Sequence, residues 1–216
     1  MEPTRIIAIR HGETAWNADG RIQGQLDIAL NPRGLWQAAR LARALAAEPI
    51  AAIYASDLAR ARSTAEPLAG AIGVSLALEA SLRERGFGAF EGQTFDAIRA
   101  AAPEDARRWS KREPGFAPAG GESLLKFRDR VLTAASAIAA RHAGQQIALI
   151  THGGVLDVLY RAATRQELQA PRTWELANAA INRLLYTPQG FALVGWADTF
   201  HLDESSADEP LDETAA

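Results

Sequence analysis

The chain has 216 residues, 48% of them hydrophobic, and a formal net charge of −3, so one domain with a sizeable core is expected. No apolar stretch reaches the ~18 residues of a membrane span, and with no cysteine there is no disulfide framework, thiolate nucleophile or thiolate metal site. The expectation is a soluble, unexported protein of the reducing cytoplasm without a membrane partner.

Ile6 to Arg10 is short, rich in Ile and followed by His-Gly, which suits a buried strand ending in a turn. Asn31-Pro32 then supplies an N-cap and a proline at the first helical position. Leu35, Ala38, Ala42 and Leu45 follow at helical spacing and predict a helix over 31–47. Beyond Pro49, residues 51–55 read as a second strand, and Ser56-Asp57 as the cap of a helix running toward Ile72. Val74 to Leu78 is a third strand. Gly86, Gly88 and Gly92 punctuate a loop bearing Phe87 and Phe90, and residues 94–122 contain three prolines and no long period.

From Ser123 onward, Leu124, Phe127, Val131, Ala135 and Ile138 recur at threes and fours up to Gly144, a helix with glycine near its end. Ile147 to Thr151 reads as a strand ending in His-Gly-Gly, with a helix from about Val155. Arg183 to Tyr186 and Phe191 to Trp196 read as two strands around a turn at Pro188-Gly190. Alternating strands and helices predict an α/β fold, a three-layer α/β/α sandwich with a mostly parallel central sheet and helices on both faces. Ligands in such sheets gather beyond the carboxyl ends of the strands, where the chain order reverses.

This organisation places a single domain over 1–202 and an acidic tail over 203–216, the tail carrying six acids and no base. With those six set aside the net charge becomes +3 on the same count. That excess suits a small anionic ligand and is too slight for nucleic acid. The tail reads as a solvated, mobile terminus.

Two apolar strands end alike, one as "IAIRHGE" and the other as "ALITHGG". In a parallel sheet both histidines, His11 and His152, emerge at the same edge, each followed by a glycine that permits close backbone approach. Taken alone, either imidazole could simply tie down a loop; as a pair they suggest a site. The other histidines offer no clustered metal-ligand spacing: His142 sits at a helix end and His201 beside the acidic tail. The second strand leads into "SDLARARSTA", where Arg60 or Arg62 opens a helix at the same edge. Two residues apart, they point in nearly opposite directions, so one joins the site. With Arg10 it forms a pair of guanidiniums matched to phosphate oxygens.

"RHGETAWN", "SDLARARSTA", "LRERGFGAFEG", "GGES" and "THGG", in that order, resemble the histidine phosphatase superfamily, which includes cofactor-dependent phosphoglycerate mutases. The likeness covers about residues 5–155. It implies that His11 is the nucleophile that becomes phosphorylated, with Arg10 a phosphate ligand beside it. Arg60, four residues after the serine of its motif, is selected over Arg62. Glu84 is implied as the proton donor and His152 as the second phosphate-binding histidine. Asn17, Gln23, Gly24, Arg85 and Gly153 are implied as further phosphate or substrate contacts, with no metal and no cofactor.

Those residue types suit the chemistry. A phosphate monoester needs an attacking group in line with the leaving oxygen, positive charge around the equatorial oxygens, and a proton for the departing alkoxide. His11 must be neutral to attack, and flanking arginines disfavour its protonated form. Glu84 must instead hold a proton, which burial beside Phe87 favours; on its own it would read as an ion-pair partner of Arg83 or Arg85.

Hydrolysis is the expected outcome, on a small-molecule phosphate ester, with the chain a monomer or homodimer. The alternative is a cofactor-dependent mutase. Mutases of the family resembled are longer and carry a basic, Tyr- and Lys-containing segment after the acid's motif. Here Arg85 remains, Phe87 stands at the tyrosine, and the insertion shrinks to a stretch in which Trp109, Lys111, Arg112 and Phe116 are candidates for a lid. A phospho-ligand binding module would lack the nucleophile or the acid, and both are present.

Overall fold

The computed structural model describes residues 2–203; apart from Asp203, the acidic tail lies outside the described residues. The chain runs β1 (Thr4–Arg10), α1 (Ala15–Ala18), α2 (Pro32–Leu45), β2 (Ile50–Ala55), α3 (Ala59–Ile72) and β3 (Leu76–Leu78). It continues as α4 (Phe95–Ala101), α5 (Pro103–Ser110), α6 (Leu124–Ala140), β4 (Gln146–Thr151), α7 (Gly153–Thr164), β5 (Ile181–Thr187) and β6 (Gly190–Asp198). The strands form one sheet in the order β3-β2-β4-β1-β5-β6. The first four are parallel, and β5 and β6 close the other side as an antiparallel pair.

Strand alternation sorts the core into two layers. Ile6 and Ala8 of β1, with Ile147 and Leu149 of β4, face Phe127, Val131 and Ala135 of α6 and Val155 and Leu159 of α7. Ile7 and Ile9, with Ala148 and Ile150, face Leu41 and Leu45 of α2 and Ala61, Ala65 and Leu68 of α3. Every residue of β4 is buried, as expected for a central strand covered on both faces. Each aliphatic side chain removed from water contributes about 1.5–3 kcal/mol. The α/β/α sandwich of the sequence reading is the fold observed.

Several local expectations change in detail. Asn31 caps α2 as predicted, its side chain accepting from Gly34 N–H at 2.8 Å. Ser56-Asp57 does not cap α3: Leu58 occupies that position without a side-chain hydrogen bond. Asp57 instead receives a bidentate ion pair from Arg83, both contacts 2.6 Å, and Ser56 turns inward to His152. The third strand is confined to Leu76–Leu78, and α6 ends at Ala140, before Gly144. His142, beyond that end, bonds Tyr54 Oη through Nε2 at 2.9 Å.

Residues 94–122 contain two short helices that no long period announced. Thr94 caps α4 and Pro103 opens α5. Phe90, Ile98, Ala106 and Phe116 form a small core of their own, with Ile22, Phe87 and Trp109 packed against it. This satellite sits over the carboxyl end of the sheet and is held there by Arg85.

Candidate active site

The register of β1 and β4 aligns Arg10 with Thr151, so the next residues, His11 and His152, leave the sheet side by side. His11 N–H donates to Thr151 O at 2.8 Å, and the two imidazole centroids are 5.2 Å apart. Both rings are buried. Burial pushes the His11 titration well below 6.5, and the charges of Arg10 and Arg60 push it further. His152 is lowered well below 6.5 for the same leading reason, with Arg60 the largest charge acting on it. Two neutral imidazoles therefore stand at this edge at neutral pH.

The tautomer of His11 follows from its partner. Nδ1 lies 2.7 Å from Gly12 O, and a carbonyl oxygen can only accept, so Nδ1–H donates and the lone pair is on Nε2. The turn that makes this contact depends on a glycine crossing: a Cβ at Gly12 would lie 2.6 Å from Gly34 O, and one at Gly34 would lie 2.1 Å from Glu13 O. Gly12 N–H is taken by Thr64 Oγ at 2.9 Å.

Arg60 is buried and Arg62 exposed, Arg62 pairing with Glu66 at 3.5 Å. Arg60 donates from Nη1 to Leu26 O at 2.8 Å and from Nη2 to Gly24 O at 2.7 Å. Burial lowers its titration to about 10. Arg10 donates from Nη1 to Leu176 O at 2.5 Å. Among the described residues, three buried nitrogens gathered here have no hydrogen-bond partner: Arg10 Nε, Arg60 Nε and His152 Nδ1. A buried unsatisfied donor costs about 1–3 kcal/mol; an anion with several acceptor oxygens would satisfy all three at once.

The remaining sequence candidates divide. Asn17 closes a capping box with Thr14, its Oδ1 accepting from Thr14 N–H at 3.1 Å and from Asn178 Nδ2 at 3.3 Å, which leaves its own amide donors for a ligand. Gln23 is buried with Oε1 unpartnered among the described residues. Gly24 has φ +54°, and a Cβ there would meet Glu91 Oε1 at 2.0 Å. Gly153 opens α7 against Arg10, whose Nε is 3.5 Å from the position of a Cβ on it.

Glu84 accepts from Arg85 N–H at 2.7 Å and from Gly154 N–H, in the first turn of α7, at 2.9 Å. Its carboxylate thereby lines a cavity of about 210 Å³, with Phe87, Trp109, Arg112, Asp157 and Arg172 among the other lining residues. Arg83, engaged with Asp57, does not pair with it. Arg85 Nε donates to Glu122 O at 2.8 Å and its Nη2 to Phe116 O at 3.0 Å, so it ties the satellite core to the sheet while also lining this cavity. Trp109 and Arg112 do line the cavity, Phe116 is buried in the satellite core, and Lys111 is exposed.

Asn178 escaped the sequence reading. Its Nδ2 donates to His11 O at 2.8 Å as well as touching Asn17, and the next residue's N–H donates to Arg10 O at 3.0 Å. No local motif marks it, because it acts across 167 residues of chain. No group of three or more His, Asp or Glu side chains among the described residues is arranged to hold a metal ion, and no helix there is long and apolar enough to cross a membrane.

Comparison with known proteins agrees with this geometry. The pattern of the histidine phosphatase superfamily (branch 1) matches residues 6–199. The chain is 38% identical over 205 residues to the "Metal-independent phosphoserine phosphatase" of Arabidopsis thaliana, covering 93% of this chain and 84% of that one. It is 37% identical over 209 residues to "Phosphoglycerate mutase-like protein 4" of the same plant, covering 95% and 90%. The solved structure of Bacillus stearothermophilus YhfR aligns with a TM-score of 0.86 at 31% identity, over 93% of this chain and all of that one. The chain therefore belongs to branch 1 of the histidine phosphatase superfamily.

Proposed function

We propose that this enzyme hydrolyses a small phosphate monoester through a phosphohistidine on His11, using neither a metal nor an organic cofactor. The observation that carries the reading is a neutral imidazole with its Nε2 lone pair free, set among three buried donors that lack partners.

In the first half-reaction Nε2 of His11 attacks phosphorus, the ester P–O bond breaks, and Glu84, entering as the acid, gives its proton to the departing alkoxide. In the second, the Glu84 carboxylate takes a proton from water as the water oxygen attacks phosphorus. The P–N bond breaks and its electron pair returns to Nε2. Arg10, Arg60 and Nδ1–H of His152 bind the equatorial oxygens, and Asn17, Gln23, Gly24 and Gly153 complete the cradle. The amino end of α7 adds its dipole to the same region. Arg85, whose Nε and Nη2 are held by Glu122 O and Phe116 O, lines the adjoining cavity and contacts the rest of the substrate.

Water is preferred over a second hydroxyl as acceptor because Phe87 stands where the mutase pattern has tyrosine and the mutase's basic insertion is reduced to a short stretch around Trp109 to Phe116. Residues 1–202 form the catalytic unit in this proposal, as a monomer or homodimer in the cytoplasm, where a chain without cysteine is at no disadvantage.

The test is turnover of p-nitrophenyl phosphate with rapid alkaline quench. Wild type yields an acid-labile phosphoprotein, and His11→Ala loses ~1,000-fold or more in kcat while keeping its circular dichroism. Equal rates for the two proteins would remove His11 as nucleophile. With 3-phosphoglycerate, with or without its bisphosphate primer, the product is inorganic phosphate; formation of 2-phosphoglycerate instead would establish a mutase.

A further inference from the structure

The stretch 80–86, which carries Glu84 along the carboxyl edge of the sheet, lies between β3 and α4 and belongs to no strand, so side chains set its course. One guanidinium gathers three of its carbonyls. Arg130, on α6, donates from Nη1 to Ser81 O at 2.8 Å and to Arg83 O at 3.0 Å, and from Nη2 to Glu84 O at 3.2 Å. The carbonyl between them, Leu82 O, accepts from Thr151 Oγ1 at 2.8 Å.

The same guanidinium forks onto the Glu122 carboxylate, Nε to Oε1 at 2.9 Å and Nη2 to Oε2 at 2.7 Å. Glu122 Oε2 in turn accepts from Gly86 N–H at 2.9 Å. The backbone on both sides of Glu84 is thus fastened to one ion pair, whose side chains are only 22% and 14% exposed. Burial works to raise the Glu122 carboxyl, but the hydrogen bonds from Arg130 and from Gly86 N–H outweigh it and hold the group below its ordinary value. The pair is therefore charged at neutral pH. Neither member lines the cavity beside Glu84.

We infer that Arg130, backed by Glu122, is a positioning residue for the general acid: it fixes the main chain of residues 81–84 and so keeps the Glu84 carboxyl where the leaving oxygen departs. This rests on the reading of Glu84 as proton donor above. The carboxyl is steered by the N–H groups of Arg85 and Gly154, and those bonds keep their aim only while the Glu84 backbone stays in place. Gln25 Nε2 adds a single bond to Glu84 O at 3.1 Å. A planar fork of five N–H donors reaches a carboxylate and several carbonyls together, which the point charge of a lysine does not. Positioned proton transfer contributes about 10²- to 10⁴-fold, and a displacement of about 1 Å costs ~100-fold.

The leaving group supplies the readout. p-Nitrophenolate departs as a stable anion and needs little protonation, whereas the alkoxide of benzyl phosphate, an ester of similar size, needs the proton of Glu84. The quantity measured is the ratio of kcat/KM for p-nitrophenyl phosphate to kcat/KM for benzyl phosphate. Any effect of the Arg130 charge on His152 falls on both esters alike and leaves the ratio unmoved. Arg130→Ala should raise it by about 10- to 100-fold. Arg130→Lys keeps a cation beside Glu122, which protects the fold, and should still raise it by ~10-fold. Glu84→Gln should raise it at least as far, and adding Arg130→Lys to Glu84→Gln should raise it no further, since the two act through one proton. An unchanged ratio in Arg130→Lys, or a further rise in the double variant, would overturn the inference, and a raised ratio in Glu84→Gln would leave the hydrolase reading standing. An unchanged ratio in Glu84→Gln would overturn both.

Discussion

Ser56 Oγ and His152 Nε2 lie 2.8 Å apart, and this contact decides which nitrogen of His152 carries the proton. Leu58 N–H already donates to Ser56 Oγ at 3.4 Å, and among the described residues the Ser56 hydroxyl has no other acceptor than Nε2. When the hydroxyl donates there, Nδ1 becomes the N–H end of the ring, the form an anion requires. Ser56→Ala should therefore raise the inhibition constant for inorganic phosphate by about 10-fold. A folded variant with wild-type affinity for phosphate would sink this account.

The two lowered histidines carry a stability signature. Their folded-state values lie below the ordinary 6.5, so below about pH 6.5 the unfolded chain binds more protons than the native one. Stability is thus complete above that value and is lost as pH falls from it toward the folded-state values, by up to ~1.4 kcal/mol per pH unit for each histidine. Urea unfolding in phosphate-free buffer at about pH 7.5 and about pH 5.5 measures the loss. The loss should be smaller in His11→Gln than in wild type; an equal or larger loss would show that His11 is not buried neutral.

Gly34 opens α2, and helix propensity alone favours replacing it with Ala by ~1 kcal/mol. Packing opposes this: the new Cβ would stand 2.1 Å from Glu13 O and 2.8 Å from Glu13 N, both backbone atoms of the loop that carries His11. Overpacking of this kind costs about 1–3 kcal/mol, so packing wins. Gly34→Ala should melt lower than wild type and turn over more slowly, and a higher melting temperature would refute the argument.

The parts of the site that could be read from sequence are those whose signal is local. "RHG" and "THG" sit directly after apolar runs, and parallel pairing alone brings them together. Arg60 and Arg62 separate by helix geometry, and one is buried while the other faces solvent. Asn178 gave no signal, because its target is a carbonyl brought near by β5 returning beside β1. The structural tie made by Arg85 gave no signal for a related reason: it stands next to the acid in sequence, yet its Nε and Nη2 meet the carbonyls of Glu122 and Phe116, placed by a loop that closes over it. The helices α4 and α5, of 7 and 8 residues, are too short to show a period and are held by Phe90, Ile98 and Phe116 more than by propensity.

What the linear chain determined is the set of reactive groups and the strand ends that carry them, since apolar runs, caps and turn glycines act over a few residues. Tertiary structure alone decided the protonation of His11, the tautomer it presents and the engagement of Arg85. Desolvation and hydrogen-bond partnership depend on which distant segments come to surround a group, and no stretch of neighbouring residues specifies that.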